Sequence, residues 1–169
     1  MNIPIDFETR RTRVQLLQSD DRNLYCNVFT NTELTKYIQP LDTNRSQTSF
    51  NIALKINKRQ SPIRRYFSVY IKNTDTAIGI LGLLEDKNDS NNLEIGAIIK
   101  KEHQGNSYST ETLKALISYS LSKFPDKEII ARSMVENKLA SYVAQNIGLS
   151  IKNEFIQDSS SWYLWSQIK

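Results

Sequence analysis

The chain has 169 residues, enough for one well-buried domain and too few for two of ordinary size, so we predict a single domain over residues 1–169. Hydrophobic residues make up 39% of the sequence and charged residues 24%, a balance that excludes disordered and fibrous chains. The formal net charge of +4 excludes little, because it favours anionic ligands in general, from nucleic acids to phosphorylated small molecules.

The sequence contains one cysteine, Cys26, and one histidine, His103. These counts exclude a disulfide framework, a cysteine-based metal site and a multi-histidine metal centre, so we expect no metal. The longest apolar runs, such as residues 77–84, are far shorter than a membrane span, and the first residues lack a signal-peptide core. We therefore predict a cytoplasmic protein with no membrane partner.

The first half of the sequence predicts one strand, two helices and three further strands. Residues 12–18 alternate apolar and polar side chains, which is typical of a strand with one buried face. Ser19–Asp21 are typical of a helix start, and a second helix is predicted from about Arg45 to Lys58. Three strands separated by polar turns then predict an antiparallel meander, at residues 66–72, 76–84 and 93–99. The first helix is predicted to face inward with Leu24, Tyr25, Val28 and Phe29.

The second half changes to a helical rhythm from Ser109 onward, and Pro125 ends that helix. A strand at residues 127–134 follows, so the series strand, loop, helix, strand predicts a right-handed crossover with two parallel strands. Another helix is predicted from Asn137, with Gly148 as its stop. One side of this helix is predicted to carry Leu139, Ala140, Val143 and Ile147. The last two strands are predicted at residues 150–157 and 162–168.

These elements follow one another in the order β-α-α-β-β-β-α-β-α-β-β. This order predicts an α/β protein with a central mixed, mostly antiparallel sheet of about seven strands flanked by about four helices. Basic residues gather at residues 10–13 and 55–65, and both groups are interpreted as solvated charged faces.

The stretch KKEHQGNSYSTETLKAL, residues 100–116, places a polar loop directly before a helix. A loop that leads from a parallel strand into a helix presents unpaired backbone N–H groups and the positive end of the helix dipole at one point. Phosphates bind at such points. Neither G-x-x-x-x-G-K-[ST] nor G-x-G-x-x-G is present, so the loop predicts a phosphate site of another pattern.

These residues resemble the GNAT acetyltransferases. The stretch QGNSYSTETL is similar to the acyl-CoA loop of that family, Q/R-x-x-G-x-G/A, with Gln104, Ser107 and Ser109 in the three pattern positions. The stretches LEIGAIIKKEHQGNSYSTETLKAL and VENKLASYVAQNIGLS are similar to two signatures of its ribosomal-protein N-acetyltransferase (RimJ/RimL-type) branch. The resemblance covers nearly the whole chain, and the predicted order of elements matches the GNAT fold.

The resemblance implies acetyl-CoA as the acyl donor. The backbone of Ile98, Ile99 and Lys100 would pair with the pantetheine arm, and Asn137 would add a side-chain hydrogen bond, a role compatible with its alternative as a helix N-cap. Five loop residues would hold the CoA pyrophosphate through backbone N–H groups: Gly105, Asn106, Ser107, Tyr108 and Ser109. Serine at position 107 replaces the usual glycine or alanine, so a positive φ there would cost roughly 1–2 kcal/mol.

Acetyl transfer to an amine needs a base, a stabilised oxyanion and a protonated leaving thiolate. Glu94, at the start of the strand that leads to the loop, is the best-placed candidate base, and an exposed structural carboxylate is the alternative. The N–H of Ile99 is the candidate oxyanion donor. Many GNAT enzymes protonate the thiolate with a tyrosine whose position here is Ala144, so Ser141, water or no group would take that role. Tyr142 is interpreted as rotated away and His103 as an exposed loop residue.

The predicted function is therefore an acetyl-CoA-dependent N-acetyltransferase that acts on a primary amine, either a protein N-terminus or a small molecule. One alternative is a GNAT-shaped module that binds CoA or another ligand without turnover, motivated by Ser107, Ser109 and Ala144. A second alternative is RNA binding, because residues 64–71 faintly resemble the aromatic strand of an RNA-recognition module, although its glycines are missing. Nucleic acid is not the expected partner, the segments at residues 31–65 and 157–162 are expected to shape the acceptor pocket, and both a monomer and a homodimer remain open.

Overall fold

The computed structural model describes residues 6–167, and one sheet runs through this part of the chain. Its strands are β1 Phe7–Glu8, β2 Thr12–Leu16, β3 Arg64–Ile71, β4 Ala77–Glu85, β5 Asn92–Ile99, β6 Glu128–Met134, β7 Leu149–Gln157 and β8 Ser160–Gln167. The α-helices in this part of the chain are α1 Arg22–Thr30, α2 Thr43–Ile56, α3 Tyr108–Lys123 and α4 Lys138–Asn146. The predicted α/β fold is confirmed. The sheet has one strand more than the seven predicted, because the two-residue β1 is too short to show an alternating pattern in the sequence.

The strands lie in the order β1-β2-β3-β4-β5-β6-β8-β7. Neighbours are antiparallel except β5 and β6, which pair in parallel as the predicted crossover requires. This parallel pairing is short, because it runs only from Asn92 opposite Glu128 to Glu94 opposite Ile130. Beyond these residues β5 continues against β4 and β6 continues against β8. A cleft therefore opens between the C-terminal halves of β5 and β6.

Hydrophobic clusters cover both faces of the sheet. The larger cluster joins the sheet to α3 and α4, with Phe67, Leu93, Leu116 and Trp165 almost fully buried. The smaller cluster packs α1 and α2 on the opposite face, where Ile80 belongs to it. Since successive side chains of a strand point to opposite faces, β5 divides in the same way. Its α3/α4 face carries Leu93, Ile95 and Ala97, and its α1/α2 face carries Glu94, Gly96 and Ile98.

The predicted helices and strands all occur within a few residues of their predicted bounds. Two details differ. The predicted apolar side of α4 includes Leu139, but Leu139 is 58% exposed. Ala144, the residue after Val143, is buried instead, so the buried side of the helix is rotated relative to the predicted one. The predicted capping residue Asp21 is itself buried and accepts hydrogen bonds from Ser68 and Tyr70, so it ties the start of α1 to β3.

Gly79 allows the close approach of β4 to the end of β5. A Cβ atom at this position would lie 2.4 Å from the backbone oxygen of Ile98 and 2.7 Å from Cδ1 of Ile99. We expect Gly79→Ala to push β5 away from β4 and to lower the free energy of unfolding by roughly 1–3 kcal/mol, which thermal denaturation measures. Gly96→Ala is the matched control, because a Cβ there meets no atom within 4 Å. Equal stability of the two variants would contradict the close approach.

Candidate active site

The edge of β5 that lines the cleft carries backbone groups with no strand opposite them. Lys100 N donates to the Ile78 carbonyl at 2.8 Å, so the N–H of Lys100 points toward β4. Because N–H directions alternate along a strand, the N–H groups of Ala97 and Ile99 point into the cleft. The Gln104 side chain donates from Nε2 to the Ile99 carbonyl at 2.8 Å. The cleft edge therefore offers hydrogen-bond donors to a ligand that lies along β5.

The loop at the end of this edge has the geometry of an anion site. Gly105 has φ 77° and Ser107 has φ 60°, and α3 begins directly after them. Within residues 6–167, none of the five backbone N–H groups from Gly105 to Ser109 donates a hydrogen bond. They gather at the N-terminus of a 16-residue helix, whose dipole favours a negative charge there. Ser107 adopts the positive φ considered above and carries its cost of roughly 1–2 kcal/mol.

Arg11 fixes this loop from the other end of the chain. Its Nη2 donates to the Asn106 carbonyl at 2.8 Å, and its Nε donates to Glu111 Oε2 at 2.7 Å. The guanidinium also lies over the ring of Tyr108, 4.4 Å from its centre. Burial alone would raise the pKa of Glu111, but hydrogen bonds from Thr9 and Arg11 outweigh it and lower that pKa. Glu111 is therefore ionised at neutral pH and holds Arg11 in place.

The interpretation of residues 10–13 as a solvated charged face is accordingly incomplete, because Arg11 and Arg13 are half-buried. The hydrogen bonds of Arg11 join residues 95 and 100 positions apart, a separation at which the sequence carries no local signal.

Glu94 lies where β5 and β6 separate. Its Oε2 is 2.6 Å from Arg132 Nη1, and Arg132 Nη2 is 2.9 Å from Asp86 Oδ2. This ion-pair network therefore joins β5, β6 and the residue after β4. Burial raises the pKa of Glu94, and the charge of Arg132 opposes this shift without cancelling it. A carboxylate with a raised pKa accepts a proton more readily at neutral pH than an ordinary one.

The N-terminal part of α4 places the other predicted site residues. Asn137 Oδ1 accepts a hydrogen bond from Ala140 N at 3.1 Å, which is the helix N-cap that the sequence allows. Ser141 Oγ is buried and has no hydrogen-bond partner within residues 6–167. Ala144 is buried in the core, at the position where many GNAT-type sequences have a tyrosine, and Tyr142 is 63% exposed. The buried side of α4 therefore carries no tyrosine hydroxyl. The helix offers one buried and unengaged hydroxyl, that of Ser141.

The structure brings some predicted site residues together and separates others. The loop residues from Gln104 to Ser109 lie beside Ile99, at the far end of the β5 edge. Glu94 lies five residues before Ile99, about 17 Å away along an extended strand. His103 is half-buried, with its ring centre 6.4 Å from that of Tyr108, so its interpretation as an exposed residue is wrong.

Three further observations limit what this site does. Among residues 6–167, no group of three or more His, Cys, Asp or Glu side chains is arranged to hold a metal ion. In the same part of the chain, no helix combines the length and the apolar character needed to cross a membrane. Phe67, in the aromatic strand that resembles an RNA-recognition module, is fully buried and cannot stack on a base.

Comparisons with known proteins relate this chain to a family by sequence and to solved structures by fold. A family model described as "Acetyltransferase (GNAT) domain" matches residues 11–150. An uncharacterized N-acetyltransferase, p20, from Bacillus licheniformis is 27% identical over 131 residues, which covers 76% of this chain and 73% of that protein.

Two solved structures share the fold at low sequence identity. The ribosomal-protein-S5-alanine acetyltransferase from Vibrio fischeri has a TM-score of 0.79 at 18% identity and covers 96% of this chain and 95% of its own. The spermidine N-acetyltransferase from Vibrio cholerae, solved with CoA and spermine, has a TM-score of 0.76 at 19% identity and covers 92% and 94%.

Proposed function

This chain belongs to the GNAT acetyltransferase family and is an acetyltransferase, and we propose that it transfers the acetyl group of acetyl-CoA to a primary amine. The observation that carries this proposal is the set of five undonated N–H groups at the start of α3, at the end of a strand with an open edge. A diphosphate fits such a set, because each N–H can donate to a phosphate oxygen and the helix dipole adds to the attraction.

The donor would lie along β5. Its pyrophosphate would accept hydrogen bonds from the N–H groups of Gly105 to Ser109. Its pantetheine arm would pair with the backbone of Ile99, because the N–H of Lys100 is donated to Ile78 and, by alternation along the strand, the backbone of Ile98 also faces β4. Asn137 Nδ2, which is separate from the capping oxygen, would reach the arm from α4. The spermidine N-acetyltransferase with the same fold was solved with CoA, which supports a CoA-type ligand for this cleft.

The separation of Glu94 from Ile99 refines the proposed chemistry. An oxyanion donor must lie near the base that activates the amine, and about 17 Å of strand separates Glu94 from Ile99. The N–H of Ala97 also points into the cleft and lies about 10 Å from Glu94, within reach of a side chain and one bridging water. We therefore assign the oxyanion to Ala97 and leave Ile99 to the pantetheine arm.

In the proposed reaction, Glu94 takes a proton from the acceptor ammonium, directly or through water. The neutral amine then attacks the thioester carbon, and the N–H of Ala97 stabilises the negative oxygen. The attacking nitrogen then passes its second proton to water, and collapse of the intermediate breaks the carbon–sulfur bond, forms the amide and expels the CoA thiolate. We propose Ser141 Oγ, a buried hydroxyl with no hydrogen-bond partner within residues 6–167, as the group that passes a proton to that sulfur and regains one from water.

We propose a protein N-terminal α-amine as the acceptor. At pH 7 an α-amine with a pKa near 8 costs about 1.4 kcal/mol to deprotonate, whereas a lysine-type amine near 10.4 costs about 4.6 kcal/mol. A single half-buried carboxylate suits the smaller demand. The shared fold with the ribosomal-protein-S5-alanine acetyltransferase supports this acceptor, and the shared fold with the spermidine N-acetyltransferase makes polyamines the class to test against it.

The first test is thermal denaturation with acetyl-CoA, because a ligand at 100 times its dissociation constant stabilises the native state by about 2.7 kcal/mol. We expect a clear rise in Tm with acetyl-CoA. CoA release is then measured with peptides, free lysine and polyamines, and we expect the peptides to be the best acceptors. No stabilisation by acetyl-CoA would overturn the proposal, and stabilisation without turnover on any amine would favour a binding module.

Arg11 allows a test of the loop that leaves the cleft itself unchanged. We expect Arg11→Met to raise the dissociation constant for acetyl-CoA about tenfold, because the loop loses its anchor at Asn106 and Glu111. Isothermal titration measures this change. Arg10→Met is the matched control, since it removes the same charge from an exposed neighbouring residue. Equal effects of both variants would show a general charge effect in place of loop anchoring.

A further inference from the structure

Two glycines lie side by side on the face of the sheet that carries Glu94. Gly82 on β4 is directly opposite Gly96 on β5. Both lie on the α1/α2 face, because Gly96 is two residues from Glu94 and two from Ile98. Gly96 is exposed although β5 is an interior strand of the sheet. The two glycines therefore leave an open space over the middle of the sheet, which we call the hollow.

The local backbone does not explain this pair. The chain has five glycines, and three of them have a structural reason: Gly79 avoids a clash with Ile98, and Gly105 and Gly148 have positive φ. A Cβ at Gly96 would meet no atom within 4 Å, and a Cβ at Gly82 would meet only Tyr66 Cε1, at 4.0 Å. Glycine in a strand interior weakens the strand. Space for another molecule is the remaining reason for both.

The surroundings of the hollow match the chemistry of the proposed site. Glu94 lies at one end of it, held by Arg132, and Ile98 at the other end packs against the α1/α2 cluster. Tyr66 stands beside Gly82 and forms a side wall. Of the two residues between the proposed base and Ala97, Gly96 is the one on this face of the sheet, and the N–H of Ala97 points into the cleft. An amine that gives its proton to Glu94 and attacks a thioester at Ala97 must pass over Gly96.

We propose that the acceptor amine binds in this hollow and that the missing side chain at Gly96 sets how large a group next to the amine is admitted. The acceptor class is then a primary amine on a substituted carbon, as at a peptide N-terminus, with the substituent lying over Gly82 and Gly96. This inference rests on the proposed function and adds a specificity-determining residue to it.

The test uses Gly96→Ala and Gly96→Val. Since a Cβ at this position meets no atom, both variants are expected to keep the Tm and the acetyl-CoA dissociation constant of the wild type. The KM for the acceptor is expected to rise in the order glycine, alanine, valine, by roughly tenfold or more for valine. The rise is expected to be larger for peptides with a bulky first residue than for peptides that begin with glycine. Asn153→Val, at an exposed position of β7, is the control for an added β-branched side chain.

The outcomes separate this inference from the function on which it rests. An unchanged acceptor KM and unchanged acceptor selectivity in Gly96→Val, with a wild type that turns over, would overturn the role of Gly96 alone. A wild type that neither binds acetyl-CoA nor acetylates any amine would overturn the proposed function and this inference together. A rise in the acetyl-CoA dissociation constant without a change in acceptor KM would place the donor in the hollow and also overturn the inference.

Discussion

Replacing Ser107 with aspartate is expected to weaken acetyl-CoA binding by on the order of 100-fold while the fold remains at least as stable as that of the wild type. Ser107 is the N-cap of α3 and has φ 60°. Aspartate tolerates this left-handed conformation, and a negative charge at a helix N-terminus is worth about 0.3–1 kcal/mol to the helix. The same charge would stand at the proposed pyrophosphate site and repel the ligand.

Opposite changes in stability and affinity make this variant informative, because a damaged fold would lower both. Thermal denaturation gives the first quantity and titration with acetyl-CoA gives the second. Ser107→Asn is the matched control: asparagine shares the tolerance of the left-handed conformation and carries no charge, so its affinity is expected to stay within a few-fold of the wild type. Unchanged affinity in the aspartate variant would place the pyrophosphate away from the start of α3.

Glu94→Gln is expected to lower kcat/KM for the acceptor by about 10²–10⁴-fold, the usual contribution of a general base, with the acetyl-CoA dissociation constant unchanged. Glutamine keeps the size of the side chain and a hydrogen bond to Arg132 but cannot accept the proton. Glu85→Gln is the matched control, because Glu85 is also a carboxylate at a strand end and forms an ion pair, with Lys127 at 3.2 Å. A normal rate in Glu94→Gln would assign the base to water or to another group.

The pH dependence of the wild type checks the same role. Burial raises the pKa of Glu94 in spite of Arg132, so the carboxylate becomes protonated at a pH above the ordinary glutamate value of about 4.3. Only the ionised form accepts a proton. The rate is therefore expected to be full above this raised pKa and to fall as the pH decreases through it. In Glu94→Gln the remaining activity is expected to lack this decrease.

The parts of the fold that follow from local pattern could be predicted from the sequence. The meander, the crossover and the loop before α3 each depend on residues close together in the chain. The sequence also indicates that a positive φ at Ser107 would be strained, and the structure shows this positive φ. The prediction that Leu139 lies on the apolar side of α4 is wrong, because hydrophobic periodicity does not fix which of two adjacent rows of side chains on the helix meets the sheet. The two-residue β1 has no period at all.

The side-chain networks around the site could not be predicted, because they join residues that are far apart in the chain. Arg11 reaches Glu111 across 100 positions, and Arg132 reaches Glu94 across 38. Arg132 inside β6 is a signal for the second network, since a charged residue needs a partner when it is half-buried. Nothing local distinguishes Arg11 from its neighbours Arg10 and Arg13.

The position of β8 between β6 and β7 has a consequence for how the protein is made. Synthesis proceeds from the N-terminus, so β5 and the loop before α3 leave the ribosome well before β8 does. Until β8 arrives, β6 can hold on to β5 through only the short parallel stretch that ends at Glu94 and Ile130. The β6 side of the cleft is thus the last part to assemble, so a nascent chain that already contains the loop before α3 still lacks the strand that supports β6.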